Sequence, residues 1–206
     1  MTVVIAIAQQ KGGAGKTTLA ANLAAAFAAT QRVAVLDIDP QQSLSRWHAL
    51  RPETATKITL STAAGWRLPA QIETLRKTHD VLIIDSPPQV DTDARLAIRA
   101  ASLVIVPIQP SPPDLWAAEA TLKLAAAEHR RAVIVLNRAP ASGKLRASVE
   151  AAITLGGHPV CTAALGNRIA FATAFAQGRG VTETAPNGLA AQELNALLAE
   201  LTELLP

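Results

Sequence analysis

The chain has 206 residues, half of them hydrophobic but only 3% aromatic, and its net charge is +3. This length is enough for one domain whose core is built from small aliphatic side chains. The single cysteine, Cys161, excludes an internal disulfide and a Cys-x-x-Cys metal site, which favours a reducing, cytoplasmic compartment. Segment 2–8 indicates a first strand rather than a signal peptide, and no apolar run approaches the ~20 residues of a membrane span.

Short apolar runs alternate with helical patterns along the whole chain. The runs are continuously apolar, as expected for strands buried on both faces of a parallel sheet. The predicted strands lie at 3–8, 33–37, 58–60, 81–85, 103–107, 132–137 and 159–161. The predicted helices lie at 16–29, 41–50, 67–78, 92–100, 112–129, 143–155, 168–177 and 188–205. This alternation predicts a single α/β domain over residues 1–206, with a mostly parallel central sheet covered by helices on both faces.

A glycine-rich loop, K-G-G-A-G-K-T-T at 11–18, follows the first strand and opens the first helix. Glycines allow successive backbone N–H groups to turn toward phosphate oxygens, and the helix presents its positive end to the same anion. Lys16 is placed to reach the β- and γ-phosphates, and the Thr17 hydroxyl to ligate Mg²⁺. The residues expected to bind nucleotide here are Gly12, Gly13, Ala14, Gly15, Lys16, Thr17 and Thr18. The alternative is a glycine-rich turn without a ligand.

The loop departs from the general phosphate-loop consensus at its first glycine, where this chain has Gln10, and it adds a second lysine, Lys11. This deviant Walker A pattern resembles the ParA/MinD family of ATPases, and is closest to the short ParA-type partition and positioning ATPases. The resemblance implies the ligands ATP and Mg²⁺. It also implies that Lys11 reaches across a nucleotide-sandwich dimer to the partner's phosphates, the alternative being a solvated surface lysine.

Three aspartates end predicted strands, at the sheet edge where ligands bind in open α/β folds. Asp37 and Asp39 follow the second strand, and Asp85 closes the fourth. A strand-end carboxylate also suits capping of the next helix, and Asp39 or Ser43 fits that role. The D-x-D-P-Q segment and the Asp85 strand resemble further motifs of the ParA family. The resemblance implies that Asp39 positions the attacking water, that Asp37 belongs to the metal shell with Thr17, and that Asp85 holds a water of Mg²⁺.

Two more segments resemble walls of the family's nucleotide pocket. Asn137 ends the sixth predicted strand, where the family uses an Asn to hydrogen-bond adenine; an Asn that merely ends a strand in a turn is the alternative. The loop 110–114, P-S-P-P-D, resembles a family loop at the pocket and dimer face. Ser111 and Asp114 also have capping-box spacing, so a structural role is equally open.

The stretch 166–181 resembles a family segment, R-x-x-[FY]-x-x-A-x-x-x-G-x-x-V, that carries a DNA-contacting arginine in some relatives. The resemblance gives Arg168 and Arg179 as candidate DNA-binding residues, although each also suits an ordinary solvated surface. Further cations expected on a neighbouring surface are Arg138, Lys144 and Arg146. The side chains expected to serve only in packing are Trp47, Trp66, Trp116, Phe171, Phe175 and Cys161.

The resemblance implies a catalytic set of Lys11, Lys16 and Asp39 in an ATP-dependent homodimer. Such a dimer binds nonspecific DNA, associates with the nucleoid and distributes a plasmid, chromosome region or protein cargo, with a ParB-like adaptor that stimulates hydrolysis. The last predicted helix carries three glutamates and no Lys or Arg, which argues against a membrane partner. The alternatives are a metabolic P-loop ligase of the dethiobiotin-synthetase type, or a MinD-like positioning ATPase that does not use DNA.

Overall fold

The structure, a computed structural model, describes residues 2–62, 65–88 and 92–206. Within them, six strands form one sheet in the order β3-β2-β4-β1-β5-β6, and every pairing is parallel. The strands are β1 (Val3–Ile7), β2 (Val33–Asp37), β3 (Ile58–Ser61), β4 (Val81–Asp85), β5 (Leu103–Ile108) and β6 (Arg131–Leu136). The predicted α/β fold with a parallel sheet is confirmed.

Helices cover both faces of this sheet. They are α1 (Lys16–Phe27), α2 (Ser43–Ala49), α3 (Leu68–Arg76), α4 (Thr92–Ala100), α5 (Pro112–Ala127), α6 (Lys144–Leu155), α7 (Ile169–Ala176), α8 (Val181–Thr184) and α9 (Leu189–Leu204), with a 3₁₀ turn at Gly65–Arg67. Helices α1, α2 and α7 to α9 supply one hydrophobic core, and α3 to α6 supply the other. No helix of the described ranges is long and apolar enough to cross a membrane.

Strand alternation divides the apolar side chains between the two cores. Along β1, Ile5 and Ile7 belong to the first core, whereas Val4 and Ala6 belong to the second. Because successive strand residues point to opposite faces, a strand covered on both sides must be apolar throughout. Each fully buried aliphatic side chain contributes about 1.5–3 kcal/mol, so this double burial is the main stabilisation of the sheet.

Two element predictions were wrong. The predicted seventh strand at 159–161 is a single parallel bridge between Val160 and Ile134 of β6. Beyond it, the backbone N–H groups of Thr162 and Ala163 donate to the Glu200 carboxylate, at 2.8 and 2.7 Å, instead of continuing a ladder. Helix α8 was not predicted, because four residues are too short for a helical hydrophobic period.

Of the three tryptophans expected to pack, the structure buries one. Trp47 is fully buried, whereas Trp66 and Trp116 are 82% and 66% exposed. The Trp66 ring instead lies under the Arg67 guanidinium, 5.2 Å from it. Phe171 and Phe175 pack, partly buried, against the first core, as expected, and Cys161 is buried with its pKa raised to about 12 by desolvation.

Candidate nucleotide-binding site

The loop between β1 and α1 has the backbone of a phosphate cradle. Gly13 and Gly15 have φ of +81° and +88°, in the left-handed region that favours glycine. Gly15 also has no space for a side chain, because a Cβ there would lie 2.3 Å from the Asn137 amide nitrogen. Gly15 is the N-cap of α1, so an anion bound in the loop would lie at the positive end of that helix.

Lys16 is held under this loop. Its side chain is buried, and its Nζ donates to the Gln9 carbonyl at 3.1 Å. Burial lowers the pKa of Lys16, while the charges of Asp85 and Asp39 raise it. The ammonium therefore lies close to two carboxylates that favour its charged form, and a phosphate would add a third anion to the same group.

Asp85, at the end of β4, is the most unusual charge in the structure. It is fully buried, and neither carboxylate oxygen has a hydrogen-bond partner of ordinary geometry within residues 2–62, 65–88 and 92–206. Burial raises the pKa of Asp85 to about 7, with Asp37 adding to the rise, while the nearby Thr17 hydroxyl and Lys16 oppose it. A buried carboxylate without donors is costly unless a cation compensates it.

The surroundings of Asp85 fit Mg²⁺ held through its water shell. The Thr17 hydroxyl is close enough to lower the Asp85 pKa. In the parts of the chain that the structure describes, no group of three or more His, Cys, Asp or Glu side chains is arranged to hold a metal ion. In a Mg²⁺ site of the P-loop type, a hydroxyl, phosphate oxygens and water supply most ligands and a carboxylate acts through water, and Thr17 and Asp85 are residues of those two kinds.

Asp37 and Asp85 are paired in register at the ends of the neighbouring strands β2 and β4. Both Asp37 oxygens are engaged: Oδ2 accepts from the Ser45 N–H and hydroxyl, each at 2.7 Å, and Oδ1 from the Asp39 N–H at 3.3 Å. Through these bonds Asp37, the last residue of β2, anchors the first turn of α2. Ser45 was not anticipated, because nothing in the spacing indicates that it bonds a carboxylate eight residues earlier.

Asp39 is placed differently. It is partly exposed, and its Oδ1 accepts from the Gln41 N–H at 2.9 Å. A cavity of about 300 Å³ is lined by Asp39 together with the phosphate loop, including Gly12, Lys16 and Thr17. The structure thus brings Asp39 into one cavity with the phosphate loop, Lys16 and Thr17, whereas Asp37 and Asp85 are buried at the neighbouring strand ends and do not line it.

Lys11 forms an ion pair within its own subunit. Its Nζ contacts the Asp114 carboxylate, whose side chain is 1% exposed while that of Lys11 is 44% exposed. Burial alone would raise the pKa of Asp114, but hydrogen bonds from Lys11, Ser111 and the Gln109 N–H lower it overall. Asp114 thereby holds Lys11 beside the phosphate loop, a contact that the expected capping role did not foresee.

Gln9 ties the same two segments together. Its side-chain Nε2 lies 3.4 Å from the carbonyls of Pro107 and Asp114, and its Oε1 accepts from the Gln10 N–H at 2.8 Å. The Gln109 amide in turn donates to the Gly13 carbonyl at 3.2 Å. Sequence reasoning missed Gln9, because an uncharged residue just before the motif carries no chemical signal.

Asn137 supports the phosphate loop from behind. Its Nδ2 donates to the Ala14 carbonyl at 2.8 Å, and its Oδ1 accepts from the Arg138 N–H at 3.0 Å. Next to it is a cavity of about 290 Å³ lined by α1 and by residues 165–169, 171 and 172. Asn137 therefore borders the cavity that suits a base, but in this structure its amide bonds the protein backbone.

The two candidate DNA-binding arginines have different surroundings. Arg168 also borders the base cavity, and its Nε and Nη2 donate to the Glu193 carboxylate at 2.9 and 2.6 Å. Arg179 donates to the Thr54 hydroxyl at 3.0 Å, and among the described residues no carboxylate pairs with it. Of these two arginines, Arg179 is therefore the one whose guanidinium no carboxylate of the described residues neutralises.

Comparison with known proteins decides the family. The model of the CobQ/CobB/MinD/ParA nucleotide-binding domain matches residues 5–181. This chain belongs to that family. The expected resemblance to the ParA/MinD ATPases is therefore confirmed.

Individual members of the family extend the likeness over nearly the whole chain. Maintenance of carboxysome distribution protein A of Halothiobacillus neapolitanus is 29% identical, over 96% of this chain and 95% of its own length. Two solved structures share the fold. An Asp-to-Ala variant of Cyanothece McdA in complex with ATP has a TM-score of 0.82 and 18% identity, and the match covers 98% of this chain and 96% of that one. Pyrococcus horikoshii MinD with Mg-ADP has a TM-score of 0.79 and 21% identity, and the match covers 98% of this chain and 96% of that one.

Proposed function

We propose that this member of the CobQ/CobB/MinD/ParA family is a Mg²⁺-dependent positioning ATPase. The observation that carries the proposal is the buried Asp85 carboxylate, which lies close to Thr17 and Lys16 behind the phosphate loop and makes no hydrogen bond of ordinary geometry within the described residues. A buried carboxylate beside a hydroxyl suits a hydrated divalent cation such as Mg²⁺, and a buried ammonium at a glycine loop suits the phosphates of a nucleoside triphosphate. Family members solved with ATP and with Mg-ADP support the choice of ligand.

Each site residue receives a role from its position. Lys16 neutralises the β- and γ-phosphates from beneath the loop, Thr17 ligates Mg²⁺, and Asp85 holds a water of the metal shell. Asp37 keeps the metal side rigid through its bonds to Ser45. Asp39, partly exposed on the open side of the cavity, orients the water that attacks the γ-phosphate. Mg²⁺, when bound, neutralises the charge that develops on the transferred phosphoryl group.

Lys11 is the residue through which a second subunit takes part. In the single subunit its ammonium is held by Asp114, close to but not within the phosphate cradle. In a nucleotide-sandwich dimer, Lys11 exchanges this carboxylate for the phosphates bound by the partner. A cation supplied in trans stabilises the transition state of phosphoryl transfer, so hydrolysis depends on dimerisation.

The cargo and the surface on which the dimer moves are finer proposals. The Halothiobacillus relative, similar over almost the full length of both chains, is a carboxysome distribution protein, which favours a large protein assembly as cargo. We infer that the ATP dimer binds duplex DNA of the nucleoid without sequence preference and that an adaptor on the cargo stimulates hydrolysis. The net charge of +3 per subunit and the unneutralised Arg179 support DNA as the surface.

One titration tests this function. We expect fluorescently labelled duplex DNA to bind in the presence of Mg-ATP, and to bind poorly with Mg-ADP or without nucleotide. The affinity should fall steeply between low and moderate salt, with a slope near −0.9 per phosphate contact. An intact ATP dimer that binds no DNA would overturn the DNA part and leave a positioning ATPase that uses another surface, whereas the absence of any ATP hydrolysis would overturn the ATPase.

A further inference from the structure

A groove lies at the end of the sheet opposite the nucleotide site. It runs between α3 and α4 to the starts of β1 and β5, and its cavity has a volume of about 440 Å³. Thr2, Ser102 and the last residue of α3, Arg76, mark its inner end. The proposed ATPase cycle assigns nothing to this end of the molecule, so its chemistry needs a separate explanation.

An arginine cluster lies at the groove: Arg76, Arg99 and Arg130 line it, and Arg95 pairs with the same Glu128 as Arg99. Arg99 and Arg95 share one carboxylate, that of Glu128, at 2.8 and 3.4 Å. Arg76 lies 3.3 Å from Glu73, and Arg130 forms no ion pair with any residue of the described ranges. Four guanidinium groups thus face two carboxylates, an excess of two charges in a chain whose net charge is +3.

Helix stabilisation accounts for only part of this cluster. Cations near helix C-termini interact favourably with the helix dipole, and Arg76 does so by donating to the last carbonyl of α4, that of Ala100, at 3.3 Å. Arg95 and Arg99, however, are both more than half exposed and both turn to the same Glu128. Arg130 follows α5, is exposed, and lies close enough to lower the pKa of Glu128 further after Arg99 and Arg95.

Apolar side chains line the groove together with the arginines, namely Pro69, Ile72 and Leu96. A second cavity of about 430 Å³, which Arg130 also lines, contains the apolar residues Leu122, Ala126 and Pro159. Its charged residues are Lys123, Arg131 and Glu119, so positive charge is in excess there as well. Because the two cavities share Arg130, they form one surface that combines cationic and apolar side chains.

We propose that the arginine cluster and these two cavities form a docking surface for an acidic segment of a partner protein, one in which Asp or Glu alternates with apolar residues. The phosphates of a nucleic acid would pair with the arginines but would leave the apolar residues of the two cavities without a partner. A peptide that carries both carboxylates and apolar side chains provides partners for both. The charge excess provides the complementarity for such a segment. This inference does not rest on ATP hydrolysis or DNA binding, since the surface lies at the strand starts and the nucleotide site at the strand ends.

Fluorescence polarisation with the full chain tests the proposal. The probes are a fluorescein-labelled peptide of alternating Glu and Leu, the matching Lys and Leu peptide, and labelled duplex DNA. We expect the Glu peptide to bind, equally well with Mg-ADP and without nucleotide, and the Lys peptide not to bind. Arg130→Glu breaks no ion pair of the described residues and should weaken the Glu peptide about five- to tenfold, as expected for an exposed charge contact reversed in sign.

Lys57→Glu is the matched control, because it makes the same charge change at an exposed position before β3, the opposite edge strand of the sheet. We expect this control to bind the peptide like the parent, and both variants to retain the parent's circular dichroism spectrum and melting temperature. Equal binding of the Glu and Lys peptides, or equal losses in the two variants, would overturn the proposal. So would an Arg130→Glu effect on DNA but not on the Glu peptide, which would assign the surface to nucleic acid.

Discussion

Lys11 and Asp114 form an ion pair across 103 positions of the sequence, between the phosphate loop and the first turn of α5. The contact joins an ammonium that is almost half exposed to a carboxylate that is fully buried. Asp114 keeps two other donors, since the Ser111 hydroxyl bonds it at 2.5 Å and the Gln109 N–H at 3.3 Å. The carboxylate would therefore remain partly satisfied if Lys11 left, which allows the lysine to change partners.

The first prediction concerns Lys11→Gln. We expect the variant to fold and to bind Mg-ATP, because Lys16 and the loop backbone are unchanged. ATP-dependent dimerisation should weaken. The rate of hydrolysis should fall by about 10³-fold or more, the effect expected when a cation supplied in trans is removed. Light scattering with and without ATP, together with phosphate release, measures both effects. The control is Lys123→Gln, which changes a lysine on the exposed part of α5. If the Lys11→Gln protein forms the ATP dimer as readily as the parent and hydrolyses ATP at the parent's rate, Lys11 has no part in the mechanism.

The second prediction is a pH dependence of stability due to Asp85. Burial raises the pKa of Asp85 in the folded chain to about 7, well above the ordinary range of an aspartate. The folded state thus binds this proton more tightly, and the free energy of unfolding decreases as pH rises from about 4 to about 7 and stays low above that. Without nucleotide, Asp85→Asn should be more stable than the parent by roughly 2–4 kcal/mol near pH 8, and the difference should vanish near pH 4.

Asp80→Asn provides a control of opposite sign. Hydrogen bonds from Arg32 hold the pKa of Asp80 well below its usual range, so its contribution to stability is present above the unfolded pKa and lost in acid. Urea unfolding of both variants across pH gives the comparison. The same Asp85→Asn protein should lose Mg²⁺-dependent hydrolysis, and a variant that is less stable than the parent at every pH would show that Asp85 has a donor of its own.

The catalytic motifs were predictable because they are local. Strand ends, a glycine-rich turn and the residues directly after each strand lie close together in the sequence, and a parallel sheet brings the ends of its strands to one edge. In the structure Lys16 and Asp39 line one cavity, and Asp85 lies close enough to Lys16 for its charge to raise the lysine pKa. The same reasoning also anticipated the helices of the described ranges other than α8 to within two residues at each end.

Long-range partners could not be predicted in the same way. Asp114 meets Lys11 and Glu193 meets Arg168 only because distant elements pack side by side. Exposure of Trp116 likewise depends on which face of α5 turns to the sheet, and Pro112 and Pro113 obscure that pattern. All three tryptophans were expected to pack, and Trp47 alone among them is buried.

The third prediction uses this difference between tryptophans. Trp47 stacks on Phe175 with centroids 6.4 Å apart, lies 4.9 Å below the Arg51 guanidinium, and donates from Nε1 to the Arg179 carbonyl at 3.2 Å. Trp47→Ala should therefore lower the free energy of unfolding by about 3–5 kcal/mol. Trp66→Ala, at an exposed ring, should change it by about 0.5 kcal/mol or less. Urea titration followed by circular dichroism measures both, and similar losses would contradict the observed burial.

The fourth prediction separates water positioning from nucleotide binding. Asp39→Ala should bind Mg-ATP and form the ATP dimer, but hydrolyse it very slowly, because Asp39 lies on the open side of the cavity and makes no bond to Lys16. Loss of kcat without loss of affinity marks an interaction made only in the transition state. Asp37→Ala is the comparison, and it should also disturb α2 because its carboxylate holds Ser45. If Asp39→Ala fails to bind ATP, its role is in the metal shell or the fold.

The last prediction asks which arginine contacts DNA. Arg168 is neutralised by Glu193, which also accepts the Gly166 N–H at 3.0 Å, whereas Arg179 donates only to a threonine hydroxyl in the structure. Arg179→Gln should therefore weaken binding of the ATP dimer to DNA by about three- to fivefold. The slope of log K against log salt should also become shallower, by about the amount that one phosphate contact contributes, for each arginine removed. Arg168→Gln alone should have a smaller effect.

Releasing Arg168 should have the opposite effect to removing Arg179. In Glu193→Gln the amide oxygen still accepts the Gly166 N–H, but the negative charge that neutralised Arg168 is gone, so DNA affinity should increase and the salt slope should steepen. The double variant Glu193→Gln/Arg168→Gln should return to the parental value, because the gain depends on the freed guanidinium. DNA titrations of the ATP dimer at two salt concentrations compare the parent with the Glu193→Gln, Arg168→Gln and double variants, and light scattering confirms equal dimerisation. An increase that persists in the double variant would instead come from the general loss of a negative charge, and Arg168 would then have no contact with DNA.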